Sequence, residues 1–177
     1  MRSVFYLLLL GAILATGALV TRSGILARSN PGRPINATMR EALDKGQPQL
    51  STEDDIILAK DYGTAKKMSS GLRYVVRAPG TGDALPKLGD EIIAHYEGRL
   101  LDGTSFDSSY RKGIPFVFRS GVGAVIRGWD EAFLTMKKGE KRTLIIPYWL
   151  AYGEKGQPPK IPPKATLIFE VELLDWR

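Results

Sequence analysis

The chain has 177 residues, 44% of them hydrophobic and 25% charged, with a formal net charge of +6. This length accommodates one globular domain and an extension. The basic residues are scattered singly or in pairs rather than clustered, so we expect no nucleic-acid partner. The chain contains no cysteine, which excludes disulfides and thiolate metal sites. Because His95 is the only histidine, a Ser-His-Asp triad is possible only through it, and a metal site with several histidines is excluded. We expect neither a metal nor another cofactor.

The first 20 residues are expected to direct the chain to a membrane. Positions 4–20 form an apolar run of about 17 residues, the short limit for a spanning helix and the long limit for a signal peptide. Small residues at positions 15–17 offer a cleavage site, whereas the arginines after the run oppose simple export. Both a signal anchor and a cleaved signal peptide stay open, with the anchor favoured. The expected location is membrane-anchored or exported, in a bacterial cell envelope or periplasm.

Residues 21–70 are interpreted as a linker or tether. Residues 29–34 are dense in turn formers, which favours an extended chain. Short helices are predicted at 38–45 and 52–60, the second with a serine or threonine cap and an acidic first turn. A spacer that lifts the next domain off a membrane explains this composition better than an independent domain does.

The remaining residues, 71–177, show the alternation of an antiparallel sheet. In one segment Ala94 and Tyr96 share a face, while His95 lies on the opposite face. The last segment places Leu167, Phe169, Val171 and Leu173 together on one face. Strands are therefore predicted at Leu72–Arg77, Glu91–Gly98, Pro115–Phe118, Lys141–Pro147 and Ala165–Trp176.

One short helix is predicted to begin at Trp129. Trp129, Ala132, Phe133 and Met136 recur at the helical spacing of one apolar face, and Gly139 follows as a C-terminal cap. A helix this short is unstable alone in water, so the flanking strands must cover its apolar face. The pattern predicts an α+β domain. Trp129 is then either a large core residue or the floor of a pocket sized for a small molecule.

Six motifs in this region occur in one order: His95-Tyr96-x-Gly98, Asp102-Gly103-x-x-Phe106-Asp107-Ser108-Ser109, Pro115-Phe116-x-Phe118, Val125-Ile126-x-Gly128-Trp129, Ala151-Tyr152-Gly153 and Ile161-Pro162-Pro163-x-Ala165-Thr166-Leu167-x-Phe169. Together they resemble an FKBP-type peptidyl-prolyl cis-trans isomerase domain over residues 71–176. The resemblance implies a five-stranded antiparallel half-barrel sheet wrapped around one short α-helix.

The resemblance also implies the site residues and partners. Trp129 would form the floor of a pocket that takes proline. The catalytic residues would be Tyr96, Phe106, Asp107, Ile126, Trp129, Tyr152 and Phe169, and the substrate-binding residues Phe116, Val125 and Ile161. The implied partners are proline-containing polypeptides and macrolide inhibitors such as tacrolimus and rapamycin, bound by a monomer.

Such a site needs no nucleophile. The peptide bond resists rotation by about 18–20 kcal/mol because twisting destroys its resonance. The twisted amide is less dipolar, so a dehydrated pocket favours it relative to the planar form. Two alternatives stay open: a module that docks proline-containing partners with incidental catalysis, and a general folding chaperone. Gln157 and Lys160 depart from the family pattern in the flap, and leave the preference for the residue before proline open.

Overall fold

The computed structural model describes residues 48–177. These residues form one antiparallel sheet and a few short helices, because their strands alternate apolar and polar side chains and are separated by glycine-rich turns. In chain order the elements are α1 (Thr52–Asp61), β1 (Lys66–Lys67), β2 (Arg73–Ala78), β3 (Glu91–Leu100), β4 (Ser105–Ser108), α2 (Ser109–Lys112), β5 (Phe116–Arg119), α3 (Arg127–Phe133), β6 (Lys141–Ile146), one 3-10 turn (Tyr148–Leu150) and β7 (Leu167–Trp176).

The sheet is built around strand β3. Its neighbours on one side follow in the order β7, β6, β2 and β1, all antiparallel. On the other side β5 pairs with the first half of β3, for example Ile92 with Phe118. β4 pairs with the second half, for example Glu97 with Ser108. The residues that join β4 to β5, including α2, therefore pass beside the middle of β3, next to Tyr96.

The α+β class, with an antiparallel sheet around a short helix, is confirmed. The described sheet contains seven strands rather than five. The two additional strands are short segments that the alternation could not reveal. β1 has only two residues, and β4 has only four.

The core lies between helix α3 and the inner face of the sheet. Residues at alternate positions of β3 and β7 are buried against the helix, as the alternation predicted. The four residues of the predicted helical face, Trp129, Ala132, Phe133 and Met136, are all at most 4% exposed.

Helix α3 differs in its ends from the predicted helix. It begins at Arg127 and ends at Phe133, so Met136 and Gly139 lie beyond it. The backbone N–H groups of Thr135 and Met136 bond to the carbonyls three residues earlier, which tightens the chain into turns. The buried guanidinium of Arg142 donates to the Thr135 carbonyl at 2.6 Å and to its hydroxyl at 2.7 Å. Arg142 therefore binds the carbonyl that a longer helix would need.

Part of the segment assigned to the tether, residues 50–65, packs on the outer face of the sheet, and Lys66–Lys67 add the edge strand β1. Helix α1 begins at a Ser51 cap, whose hydroxyl accepts from the Asp54 N–H at 3.0 Å. Its Leu58 is buried with Ile145 of β6 and Ile168 of β7. The compact unit thus spans Pro48–Arg177 rather than beginning at residue 71. Because helix α1 covers the outer face, β6 is buried on both faces.

We expect Leu58→Ala to lower the free energy of unfolding by about 2–5 kcal/mol, because the side chain is 1% exposed and its removal leaves a cavity. Ile56 of the same helix is 64% exposed and gives a matched control. Its replacement by alanine is expected to change stability by less than about 0.5 kcal/mol. Chemical denaturation of the full chain measures both. Equal, small effects would show that helix α1 does not stabilise the sheet.

The predicted signal segment 1–20, the predicted helix at 38–45 and the tether up to residue 47 lie outside the described residues. Within residues 48–177, every helix is too short or too polar to span a membrane.

Candidate active site

A cavity of about 280 Å³ opens above Trp129, between helix α3 and the sheet. We call it the pocket. Strands β3, β4, β5 and β7 contribute its walls, and helix α2, the chain before α3 and the loop after the 3-10 turn contribute its rim. Its lining residues are Tyr96, Phe106, Asp107, Lys112, Phe116, Ala124, Val125, Ile126, Trp129, Tyr152 and Phe169.

The lower part of the pocket is a set of aromatic rings around Trp129. The indole centroid lies 5.0 Å from the ring of Tyr96, 5.2 Å from Phe169 and 5.9 Å from Phe116. All three rings stand steeply against the indole, at 70–77°. Edge-to-face contacts of this kind are favourable and fix ring orientation. The floor is therefore apolar and rigid.

At Gly128 the backbone of helix α3 lies close to strand β6, and this close approach places Trp129 at the bottom of the pocket. A Cβ at this position would lie 2.5 Å from Cγ2 of Ile146 on strand β6. Only glycine lets helix α3 approach the sheet this closely. Within residues 48–177, the buried indole N–H of Trp129 has no hydrogen-bond partner. The indole is therefore held in place by packing rather than by a hydrogen bond from its N–H.

A second glycine, Gly98 of strand β3, makes room for the wall. A Cβ at this position would lie 2.7 Å from both Phe106 and Phe169. These two rings meet edge to face, with centroids 5.6 Å apart. The absence of a side chain at Gly98 thus lets both rings lie against the strand and close that side of the pocket.

The polar part of the rim is centred on Asp107. Its carboxylate accepts from the Tyr96 hydroxyl at 2.6 Å and forms an ion pair with Lys112 Nζ at 2.6 Å. Burial acts to raise the pKa of Asp107, but the hydrogen bonds from Lys112 and Tyr96 outweigh it and hold this pKa below its ordinary value. Burial, and then the bond to Asp107, raises the pKa of Tyr96. Near neutral pH, Asp107 is therefore ionised and Tyr96 protonated.

Two hydrogen-bond donors at the pocket have no partner among residues 48–177. Ile126 and Tyr152 both line it. Within the described part of the chain, neither the Ile126 N–H nor the Tyr152 hydroxyl donates a hydrogen bond to a protein atom. Burial, and then the charge of Asp107, raises the pKa of Tyr152, so its hydroxyl keeps its proton. Both donors are available to carbonyl oxygens of a bound molecule.

The structure brings nine of the ten predicted site residues together around the pocket. The tenth, Ile161, lines an adjoining cavity of about 420 Å³ instead. It is 3% exposed and packs into the core from the loop after Tyr152.

Two lining residues, Lys112 and Ala124, were not predicted. Lys112 reaches the pocket because helix α2 turns the chain back after strand β4. Ser108 caps this single turn, and Gly113 ends it in the left-handed conformation. A serine before the turn and a glycine after it are visible in the sequence, and could have placed the lysine near Asp107.

The sheet, the enclosed helix and the aromatic pocket define the class of protein. The family model described as FKBP-type peptidyl-prolyl cis-trans isomerase matches residues 82–174. This match covers more than half of the chain, and the chain belongs to that family.

Similar proteins are found in animals and plants. Human peptidyl-prolyl cis-trans isomerase FKBP2 is 60% identical over 86 residues, which cover 49% of this chain and 61% of the relative. Arabidopsis thaliana FKBP15-2 is 47% identical over 116 residues, covering 66% of this chain and 69% of the relative. The crystal structure of AtFKBP13 superposes with a TM-score of 0.60 at 42% identity, covering 64% of this chain and 98% of that one. The chain thus spans less than two thirds of human FKBP2.

Proposed function

We propose that the protein is a peptidyl-prolyl cis-trans isomerase that accelerates rotation about X-Pro bonds during protein folding. The observation that carries this proposal is the pocket itself. It combines an aromatic floor at Trp129 with two donors that have no partner in the described part of the chain, the Ile126 N–H and the Tyr152 hydroxyl. A proline ring is apolar, and the carbonyls beside it need donors, so the pocket complements this part of a polypeptide. Family membership supports the same activity.

In the proposed mechanism the proline ring rests on Trp129, between Phe116, Val125 and Phe169. The N–H of Ile126 and the hydroxyl of Tyr152 donate to substrate carbonyls and hold the chain on each side of the X-Pro bond. The twisted amide has lost its resonance and is less dipolar than the planar one. An apolar enclosure therefore stabilises it relative to the planar ground state.

The required stabilisation is modest. An X-Pro bond isomerises in tens of seconds at room temperature without a catalyst. Lowering the barrier by about 5 kcal/mol accelerates the reaction several thousandfold. No bond is made or broken, so Asp107 need not transfer a proton. Its role is to hold the Tyr96 hydroxyl and Lys112 at the rim, which keeps the aromatic wall in place.

The proposed partners are proline-containing polypeptides, together with the macrolides tacrolimus and rapamycin as inhibitors. A macrolide that presents a proline-like ring and carbonyl groups would use the same floor and the same donors. We propose that the protein acts as a monomer, since one chain brings together nine of the ten residues that the resemblance assigns to the site.

We further propose that residues 1–20 direct the chain to a membrane or across it. This proposal rests on the apolar run in the sequence. The relatives named above come from human and Arabidopsis, so they lend no support to the bacterial envelope that the sequence analysis expected.

The full chain is expected to accelerate cis-trans exchange of short X-Pro peptides, measured in an assay in which a protease cleaves only the trans isomer. Rates that rise in proportion to protein concentration support the isomerase. A folded protein that binds the peptides but leaves the exchange rate at its uncatalysed value would instead support a docking module.

A further inference from the structure

A second cavity, of about 420 Å³, adjoins the pocket. We call it the flap cavity, because one side of it is formed by the flap, residues 153–163. Phe106, Asp107, Lys112 and Tyr152 line both cavities. The lining of the flap cavity is completed by Gln157, Pro158, Pro159, Lys160 and Ile161.

The flap holds a defined shape beside this cavity. The Gln157 N–H donates to the Ile161 carbonyl at 2.8 Å, and the Ile161 N–H donates back to Gln157 at 3.0 Å. This closed turn encloses Pro158, Pro159 and Lys160. The buried side chain of Ile161 anchors one end of it in the core. Lys160, next to the anchor, is thereby held along the cavity although its own side chain is exposed.

The flap cavity carries an uncompensated positive charge. It is lined by two lysines, Lys112 and Lys160, and by one acidic residue, Asp107. The carboxylate of Asp107 is already engaged by Lys112 and by the Tyr96 hydroxyl, both at 2.6 Å. The two charges of that ion pair offset each other, which leaves Lys160 as the remaining charge.

Lys160 has no acidic partner within residues 48–177. The acidic residue of the flap, Glu154, is paired with Lys164 at 3.4 Å. The ammonium group of Lys160 and the side-chain amide of Gln157 are therefore both available to a bound molecule.

The two cavities share four lining residues, so an extended peptide that enters one also reaches the other. If a proline ring occupies the pocket, as the proposed function requires, the flap cavity is within reach of the side chain of an adjacent residue. We propose that this cavity is a subsite for that side chain, and that Lys160 makes it prefer aspartate or glutamate over lysine or arginine.

The expected preference is modest and depends on salt. An ion pair at an exposed site changes a rate by a factor of about two to five. Such a contact weakens as salt rises, since charges are screened over about 10 Å at 0.1 M ionic strength. The full chain is therefore expected to act about threefold faster on a peptide with glutamate beside proline than on the matched lysine peptide at low salt.

The test compares kcat/KM for peptides with glutamate, glutamine or lysine at one position beside proline. The position before and the position after proline are varied separately. Wild type is expected to prefer glutamate at one of the two positions. Lys160→Gln is expected to abolish this preference, and Lys160→Glu to reverse it in favour of lysine.

Lys155→Glu is the matched control. Lys155 belongs to the same flap and is exposed, but it lines neither cavity. The Lys155→Glu variant is expected to keep the wild-type preference for glutamate. If Lys155→Glu and Lys160→Glu change this preference equally, the net charge of the protein and not Lys160 determines it, and the inference is wrong. Catalysis that is insensitive to peptide charge at both positions would overturn this inference and leave the isomerase intact. Absence of catalysis on every peptide would overturn both.

Discussion

Trp129→Ala is expected to lower the free energy of unfolding by about 3–5 kcal/mol, because the indole is only 4% exposed and its removal leaves a cavity in the core. Three aromatic rings that pack edge to face on the indole lose their support. The same change removes the floor on which the proline ring rests. We expect kcat/KM to fall by roughly 30-fold or more, equivalent to about 2 kcal/mol of transition-state stabilisation.

Lost stability must be separated from lost catalysis in this variant. Leu58→Ala removes a buried side chain on the outer face of the sheet, in a cluster that shares no residue with the pocket lining. At a temperature where both variants are folded by circular dichroism, Leu58→Ala should retain near wild-type turnover. If Trp129→Ala also retains it, the reaction takes place elsewhere.

Asp107→Leu is expected to reduce kcat/KM by roughly tenfold, or about 1.4 kcal/mol. The leucine cannot accept the hydroxyl of Tyr96, a residue that is 6% exposed. Leaving a buried donor without an acceptor lowers stability by about 1–3 kcal/mol. The Tyr96 ring is therefore expected to shift so that its hydroxyl bonds to another acceptor. The ion pair with Lys112 is lost as well.

The Asp107→Asn variant distinguishes the two roles of this carboxylate. Its amide oxygen can still accept from the Tyr96 hydroxyl, but it carries no charge for Lys112. We expect activity between wild type and Asp107→Leu if positioning of Tyr96 dominates. Steady-state kinetics on all three proteins measure the difference. Full activity in a folded Asp107→Leu protein would contradict the role assigned to the rim.

Much of the domain could be predicted because its signals are local. Strand β3 alternates in the sequence, so the burial of Ala94 and Tyr96 followed directly from side-chain direction. The spacing of Trp129, Ala132 and Phe133 predicted a helix with one buried face. The resemblance then supplied ten site residues, and the structure places nine of them at one cavity.

The rest depended on contacts between distant segments. Residues 52–61 have a weak apolar face, so their place in the compact unit is shown by contacts with distant residues, such as those of Leu58 with Ile145 and Ile168. Those two isoleucines lie on the outer face of their strands, a sign that something covers it. The end of helix α3 depended on Arg142, whose hydrogen bonds to Thr135 cannot be seen in a local pattern.

The most direct test of the isomerase site is NMR exchange of an X-Pro peptide with a catalytic amount of full chain, titrated with tacrolimus. We expect exchange cross-peaks that are absent without protein and that disappear as the macrolide approaches one equivalent. Resonances of Trp129 and Tyr152 should shift over the same range. Exchange that continues unchanged when the macrolide has saturated the pocket would show that isomerisation does not take place there.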